Sequence, residues 1–265
     1  MQLFQLRDVM QPAFLLNTLP VALALALASP GTGAESAEEL IQKGDVFYDK
    51  LQAAEALMFY LPAEKLDSNN VRLLVRIARQ YRHLMSDATN VHEKWQFGTT
   101  AVDYAERAVA LAPNDPEAHL ALAISYGKLL PLAETKQKVA TSRLIKIAAD
   151  KVISLDPKND LAWQVLGRWY FGLAELSRVE RAWARIAYGK LPPAKYQDAV
   201  RCFEKAIALN TNRLMHYIEL GRTYEKIGRN ADARKFITKG LEMPETEKDD
   251  PETKELGRQI LKTLD

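Results

Sequence analysis

The chain has 265 residues, of which 26% are charged, and its formal net charge is +2. This length fits one or two domains. The near balance of charge argues against bulk nucleic-acid binding, which requires a strongly basic domain or stripe. Cys202 is the single cysteine, so no internal disulfide can form and the fold must be held by packing. Its position in a predicted helix indicates a small buried side chain.

The first 34 residues differ in composition from the rest of the chain. Arg7 and Asp8 are their only charged side chains, and an apolar stretch interrupted by Pro20 is followed by small residues at 29–34. The regular apolar run, residues 21–28, is shorter than the roughly 20 residues that cross a bilayer as a helix. Residues 1–34 are therefore predicted to be a removable export signal, with a periplasmic or secreted product. An uncleaved membrane anchor and an internal hydrophobic cap are the alternatives.

Residues 35–265 carry a spaced pattern that returns with each predicted pair of helices. One copy reads Trp163, Leu166, Gly167 and Tyr170 on a first helix, with Ala199 and its neighbours on the second. Five copies are recognised, and their small residues are Gly44, Ala78, Ala123, Gly167 and Gly221. This is the tetratricopeptide pattern, in which small residues let two antiparallel helices approach closely. It predicts an all-α, right-handed solenoid of about five helix pairs, without β-sheet.

Turn and cap signals agree with this architecture. Residues 114–117 (Asn-Asp-Pro-Glu) and 156–160 (Asp-Pro-Lys-Asn-Asp) each combine a proline with side chains that cap a following helix. Residues 252–264 have apolar side chains on one side, which predicts a capping helix over the last open face. The adjacent Asp249 and Asp250 are expected to form a solvated start of that helix.

Three of the five pairs contain extra residues between their two helices. The spacing from Phe47 to Ala56 is uninterrupted, whereas the equivalent spacings at 81–101, 126–145 and 170–199 are longer. The longest insertion includes ELSRVERAWARIAYGK at 175–190, which predicts an inserted helix ended by Pro192-Pro193. Such insertions lie on one edge of a solenoid, where repeat proteins place binding surface.

The inserted helix would carry a basic stripe, because Arg178, Arg181 and Arg185 are three and four positions apart. One interpretation is a basic, aromatic-bearing helix that docks on an acidic partner or a phospholipid surface. The other is an extra helix that packs Trp183 on its own repeat while the arginines stay hydrated or pair with nearby glutamates. Sequence alone favours the second interpretation.

The inserted helix, the stretch LGRWYFGLAELSRVERAWARIAYGKLPPAKYQDAVRCFEKA around it and the following LGRTYEKIGRNADARKFITKGLEMP resemble the regulator of microtubule dynamics family. The resemblance runs from about residue 37 to the end and is strongest over 156–244. It implies an all-helical adaptor, associated with microtubules or organelle membranes in the animal members. It carries over no catalytic residue.

The first helix of each pair is expected to line a concave groove, and the position directly after the small residue should point into it. That position is filled by arginine three times. The predicted partner-binding set is Arg79, Arg82, Gln164, Arg168, Phe171, Arg222 and Lys226. Arginine binds carboxylates in a bidentate manner, so an acidic protein segment would suit this groove. The alternative is that these arginines pair with acidic residues of the chain itself, such as Asp45, Glu117 and Glu219.

No catalytic or cofactor motif is recognised. The four histidines show no metal-ligand spacing, and neither a phosphate-binding glycine loop nor a Gly-x-Ser-x-Gly elbow is present. The sequence thus predicts a non-catalytic interaction module that binds another protein's segment, with no cofactor, no metal and no nucleic-acid partner. The alternative is a membrane-tethered structural component, associated with the cytoskeleton or an organelle. Oligomeric state is left open.

Overall fold

The computed structural model describes residues 35–177, 181–182 and 194–264, except for the side chains of residues 135 and 136. This part of the chain contains eleven α-helices and no β-strand. They are α1 (Ala37–Tyr48), α2 (Ala53–Leu66), α3 (Val71–Asp87), α4 (Val91–Leu111), α5 (Pro116–Leu129), α6 (Thr135–Leu155), α7 (Asp160–Glu175), α8 (Tyr196–Leu209), α9 (Leu214–Lys226), α10 (Asn230–Glu242) and α11 (Asp250–Thr263). A 3₁₀ turn, Leu130–Leu132, follows α5.

Consecutive helices pack as five pairs, namely α1 with α2, α3 with α4, α5 with α6, α7 with α8, and α9 with α10. Each second helix also contacts the first helix of the next pair, so the pairs stack in chain order. The last helix, α11, packs on both α9 and α10. These contacts confirm the predicted all-α tetratricopeptide-like solenoid with a capping helix. The described helices include none that is long and apolar enough to cross a membrane.

In the three repeats whose small residue is glycine, that glycine lies against a large side chain of the second helix. A Cβ added at Gly167 would lie 2.6 Å from Cε1 of Phe203, and one added at Gly221 would lie 2.5 Å from Cγ1 of Ile237. Both Phe203 and Ile237 are fully buried. The periodic small residues in the sequence are therefore points of close helix approach. The neighbouring Cys202 is buried as predicted, and burial raises the pKa of its thiol to about 12.

In the last two repeats, the large residue near the start of the first helix bonds to the turn that precedes it. The indole of Trp163 donates to the carbonyl oxygen of Pro157 at 3.1 Å, and the Tyr217 hydroxyl donates to that of Thr211 at 3.0 Å. Each bond reaches six residues back, into the turn between repeats. Such bonds satisfy backbone carbonyl groups in the turns between helices, which have no partner within a helix.

The predicted caps are present at the starts of α5 and α7. The Asp115 side chain accepts from the backbone N–H groups of Glu117 and Ala118, and the Asn159 side chain accepts from that of Ala162 at 3.0 Å. Each cap satisfies first-turn amides that lack a partner within the helix.

Two of the three insertions lengthen helices. The helices α4 and α6 each have 21 residues and α3 has 17, whereas α9 and α10 have 13 each. Most of the third insertion lies outside the described residues, and with it Arg178, Trp183 and Arg185. Arg181 is described, and its guanidinium donates to the backbone oxygen of Leu173 at 2.6 Å. Residues 1–34 also lie outside the described part, so the export signal and its alternatives stay predictions.

Candidate partner-binding groove

The first helices of the repeats form one continuous surface, because α3 packs against α5 and α5 against α7. This is the arrangement of the inner helices in a tetratricopeptide array. Residues 244–249, between α10 and α11, lie on this surface and are called the acidic segment below. Their side chains reach α3, α5 and the residue that precedes α9. The groove of this chain thus holds a non-helical segment of the same chain.

Glu247 bridges the second and fifth repeats. One carboxylate oxygen lies 3.0 Å from Nη2 of Arg79 on α3, and the other lies 2.6 Å from Nη1 of Arg213 at the start of α9. Arg213 also pairs with Asp160 of α7 at 3.0 Å. Hydrogen bonds between ionised groups are about twice as strong as neutral ones. Glu247 therefore fastens the acidic segment across repeats that are distant in the sequence.

Asp249 makes the second contact, with α3 and α5. Its Oδ1 accepts from Nζ of Lys128 at 2.7 Å and from Oγ of Ser86 at 2.9 Å. Burial acts to raise the pKa of Asp249, but Lys128 and Ser86 outweigh it and hold this pKa below its usual value. Between the two acids, Nζ of Lys248 lies 2.6 Å from the Asp87 carboxylate. Asp249 is accordingly an anion held by the inner helices.

The Asp250 side chain holds the backbone of the acidic segment in its turn. Its side chain is buried, and Oδ2 accepts from the backbone N–H groups of Thr246 and Glu247, each at 2.7 Å. The expectation of a solvated Asp249-Asp250 helix start is therefore wrong. Asp249 is ion-paired and Asp250 is buried, because the chain turns back over the groove before α11 begins.

Positive charge surrounds the place where Asp249 binds. Arg82 is buried, and its hydrogen bonds go to neutral acceptors on α5, with Nη1 3.1 Å from Ser125 Oγ and 3.4 Å from the Ala121 oxygen. Burial, followed by the charge of Arg79, lowers the pKa of Arg82 to about 10. Burial, followed by the charges of Arg79 and Arg82, lowers the pKa of the adjacent His83 to about 3. This end of the groove is thus electropositive.

The other end of the groove is organised around one buried carboxylate. Glu219 on α9 is only 1% exposed in its side chain, and its Oε1 lies 2.7 Å from Arg168 on α7. Arg222 lies 3.5 Å from the second oxygen and stacks over the Phe171 ring, with its guanidinium carbon 4.1 Å from the ring centre. The charge of Glu219 raises the pKa of Arg168. The pairing of these arginines with an acid of the chain is therefore present for Arg168 and Arg222.

A second polar network between α7 and α9 leads to Glu247 through Asp160 and Arg213. The buried His216 has Nδ1 2.8 Å from the Gln164 side-chain oxygen and Nε2 2.8 Å from the Asp160 carboxylate. Burial lowers the pKa of His216 against the opposing effect of Asp160. These contacts fix α7 against α9 and position Asp160 for its pair with Arg213.

The predicted groove residues therefore separate into two groups. Arg79, Arg168, Arg222 and Lys226 keep partly exposed side chains on the first helices. Arg82, Gln164 and Phe171 are buried, so the expectation that they are open to a ligand is not met. They point between helices, where they hydrogen-bond or pack. Whether any of the set binds a partner stays a prediction.

Lys128 and Arg213 are not in the predicted set of groove residues, although the sequence carries a signal for each. Lys128 is the fifth residue after the small Ala123, the same repeat position that Lys226 holds after Gly221. Arg213 occupies the N-cap of α9 and makes no capping bond, whereas the equivalent α7 cap is Asn159. A break in a local rule of this kind is expected at functional or interaction sites.

No group of three or more His, Cys, Asp or Glu side chains in the described residues could hold a metal ion. The comparison with known families is informative instead. The family model described as "Regulator of microtubule dynamics protein 1-3" matches residues 40–265. The chain belongs to this family.

Known members of the regulator of microtubule dynamics family are similar over most of this chain. Regulator of microtubule dynamics protein 1 of Bos taurus is 26% identical over 85% of the chain and 71% of its own length. The Mus musculus protein 1 is 27% identical over 86% of the chain and 74% of its own length. Protein 2 of Homo sapiens is 27% identical over 74% of the chain, which spans only 48% of that relative.

Solved structures support the fold of this family member. The tetratricopeptide protein TTC0263 of Thermus thermophilus aligns over 85% of the chain and 99% of its own, with a TM-score of 0.62 and 17% identity. MamA of Desulfovibrio magneticus RS-1 aligns over 79% and 96%, with a TM-score of 0.52 and 15% identity. At this identity the likeness concerns the fold alone.

Proposed function

We propose that this protein is a non-catalytic interaction module that binds a segment of another protein in the groove formed by its first helices. The observation that carries the proposal is the acidic segment itself, a non-helical piece of chain held in that groove by side chains of α3, α5 and the α9 start. A surface that holds one non-helical segment has the hydrogen-bond donors to hold another. Tetratricopeptide arrays present concave surfaces of this kind for recognition.

Residues that the acidic segment leaves partly exposed would extend the contact surface toward α9. The Arg168 side chain is 51% exposed although it pairs with Glu219, and Lys226 is 39% exposed. Exposed arginines next to aromatic rings are common at protein interfaces. The proposal therefore assigns Arg168, Arg222 and Lys226 to partner contact.

Site-specific photocrosslinking in cells of the native host tests this proposal. A photoreactive amino acid replaces Lys226 in the groove, and in a control chain it replaces Ile147, which is 64% exposed on the second helix α6. We expect a discrete covalent adduct with another protein from position 226 and none from position 147. Adducts of the same size and yield from both positions, or from neither, would contradict groove binding.

A second proposal concerns the partner's class. The relatives are described as regulators of microtubule dynamics, which supports a cytoskeleton-related role, with residues 1–34 serving as a tether. Co-sedimentation of the full chain with assembled microtubules tests the first element. Removal of residues 1–34 tests the second, because a tether would lose its cellular location while the groove would still bind its partner.

A further inference from the structure

The acidic segment occupies the surface that the proposed function assigns to a partner. We propose that it is a built-in competitor, and that the partner's segment carries two carboxylates spaced as Glu247 and Asp249 are. This inference rests on the proposed function and specifies the chemistry of the ligand. The partner would bind by displacing residues 244–249 from α3, α5 and the start of α9.

The contacts of the acidic segment resemble those of a bound peptide. Its anchors are two acidic side chains two positions apart in a turn, which a backbone hydrogen bond from the Asp250 N–H to the Glu247 carbonyl oxygen closes at 3.1 Å. The ion pairs join residues 168, 121 and 34 positions apart, so they are tertiary contacts and not local turn bonds. Lys248, between the anchors, pairs with Asp87 instead. This alternation defines a recognition pattern of acid, any residue, acid.

A third cation, Arg82, lies beside the two that bind the acidic segment on α3 and α5. Arg82 is buried with neutral acceptors, and a buried charge without an ionic partner is unfavourable. Arg79 and Lys128 flank it and already bind the two carboxylates. An incoming segment with the same two acids would find the same donors. A segment that lacks them would leave the groove cations unpaired, which gives the groove a means of discrimination.

The strength of competition by a tethered segment follows from its effective concentration. A ligand attached by a short linker acts at an effective concentration on the order of millimolar. A free acidic peptide of equal intrinsic affinity would therefore bind poorly until the tethered copy is weakened. Replacing Glu247 and Asp249 by their amides removes the charges and keeps the shape, and Asp250 remains to hold the turn.

The test uses the full chain and two labelled peptides in fluorescence anisotropy. One peptide has the sequence of residues 243–251, and the control peptide carries Gln for Glu247 and Asn for Asp249. The proteins are the natural chain and the Glu247→Gln/Asp249→Asn variant, with Asp249→Asn alone as the second variant if the double variant does not fold. We expect the acidic peptide to bind the variant at least about tenfold more tightly than the natural chain, and the amide peptide to bind neither.

Three results would overturn the inference. Equal affinity of the acidic peptide for both proteins would show that residues 244–249 do not compete. Equal binding of the acidic and amide peptides, or no binding to the variant at millimolar concentration, would show that the groove does not select two carboxylates. Failure here is distinguishable from failure of the proposed function, since the crosslink from position 226 could still form with a partner that leaves the acidic segment in place.

Discussion

Lys128 and Asp249 form an ion pair of 2.7 Å although they are 121 positions apart in the sequence. The pair joins α5, in the middle of the solenoid, to the segment that leads into the last helix. Ser86 of α3 donates to the same carboxylate oxygen at 2.9 Å. The end of the chain is thereby held on the inner surface of its own second and third repeats.

This relationship predicts a measurable coupling. Lys128→Met and Asp249→Asn should each lower the free energy of unfolding by roughly 1–2 kcal/mol, because each leaves a partly buried charge without its partner. The double variant should lose less than the sum, with a coupling of about 1 kcal/mol. Urea unfolding measures these values. The local pair Lys146–Asp150 at 2.6 Å is the control and should couple by no more than about 0.5 kcal/mol. Strict additivity for Lys128 and Asp249 would contradict the contact.

Arg168 is predicted to contribute to stability as well as to recognition. Replacing a surface residue usually changes stability by no more than roughly 0.5 kcal/mol, and the predicted position of Arg168 in the groove would place Arg168→Ala in that class. The structure changes this expectation, because Glu219 is buried and pairs with Arg168 at 2.7 Å. We now expect a loss of roughly 1–3 kcal/mol in unfolding free energy. Glu219→Gln in the same chain should recover part of that loss, and an equal loss with and without it would count against the pair.

The two glycines of α7 offer a matched test of the repeat packing. A Cβ at Gly167 would meet Phe203 at 2.6 Å, whereas a Cβ at Gly172 would have no atom within 4 Å. Gly167→Ala should therefore destabilise the protein by roughly 1–3 kcal/mol through overpacking. Gly172→Ala should stabilise it by up to about 1 kcal/mol, since alanine favours a helix. Thermal unfolding of both variants gives the comparison, and similar changes for the two would refute the packing argument.

Acid should weaken the fold through His83. Its pKa is about 3 in the folded chain against an ordinary value of 6.5, so between these values the unfolded chain binds more protons. Stability therefore falls as the pH is lowered through this window, by up to about 1.4 kcal/mol per pH unit from this group. His83→Gln should flatten the slope of unfolding free energy against pH, measured by urea unfolding between about pH 6.5 and 5, because most carboxylates titrate below that range. Replacing the exposed His92 is the control, and an unchanged slope in His83→Gln would contradict the assignment.

Much of the fold could be predicted from periodic residues. The small residues of the repeat, such as Gly167 and Gly221, mark close approaches that depend only on local helix geometry and a neighbouring helix. The caps at Asp115 and Asn159 are also local, because a side chain there reaches amides two or three residues away. Patterns of this kind repeat along the chain, so five copies reinforce one another.

The state of the groove could not be predicted in the same way. The sequence correctly placed Arg79, Arg168 and Arg222 on first helices, but it gave no distance between Arg79 and Glu247, which are 168 positions apart. That contact depends on the curvature of four stacked repeats and on the turn held by Asp250. Local patterns do not encode either quantity. The acidic residues at 245, 247, 249 and 250 are evident in the sequence, but the sequence does not indicate which groups they contact.

Zero-length crosslinking most directly tests whether the acidic segment lies in the groove. A carbodiimide joins an amine to a carboxylate only when the two are in direct contact, and the pair at Lys146 and Asp150 serves as the internal positive control. Peptide mass spectrometry of the full chain should find a Lys128–Asp249 amide, and the Asp249→Asn variant should lack it. Formation of the control link without any link from residues 244–249 to α3 or α5 would show that the groove is open and that the segment is not its occupant.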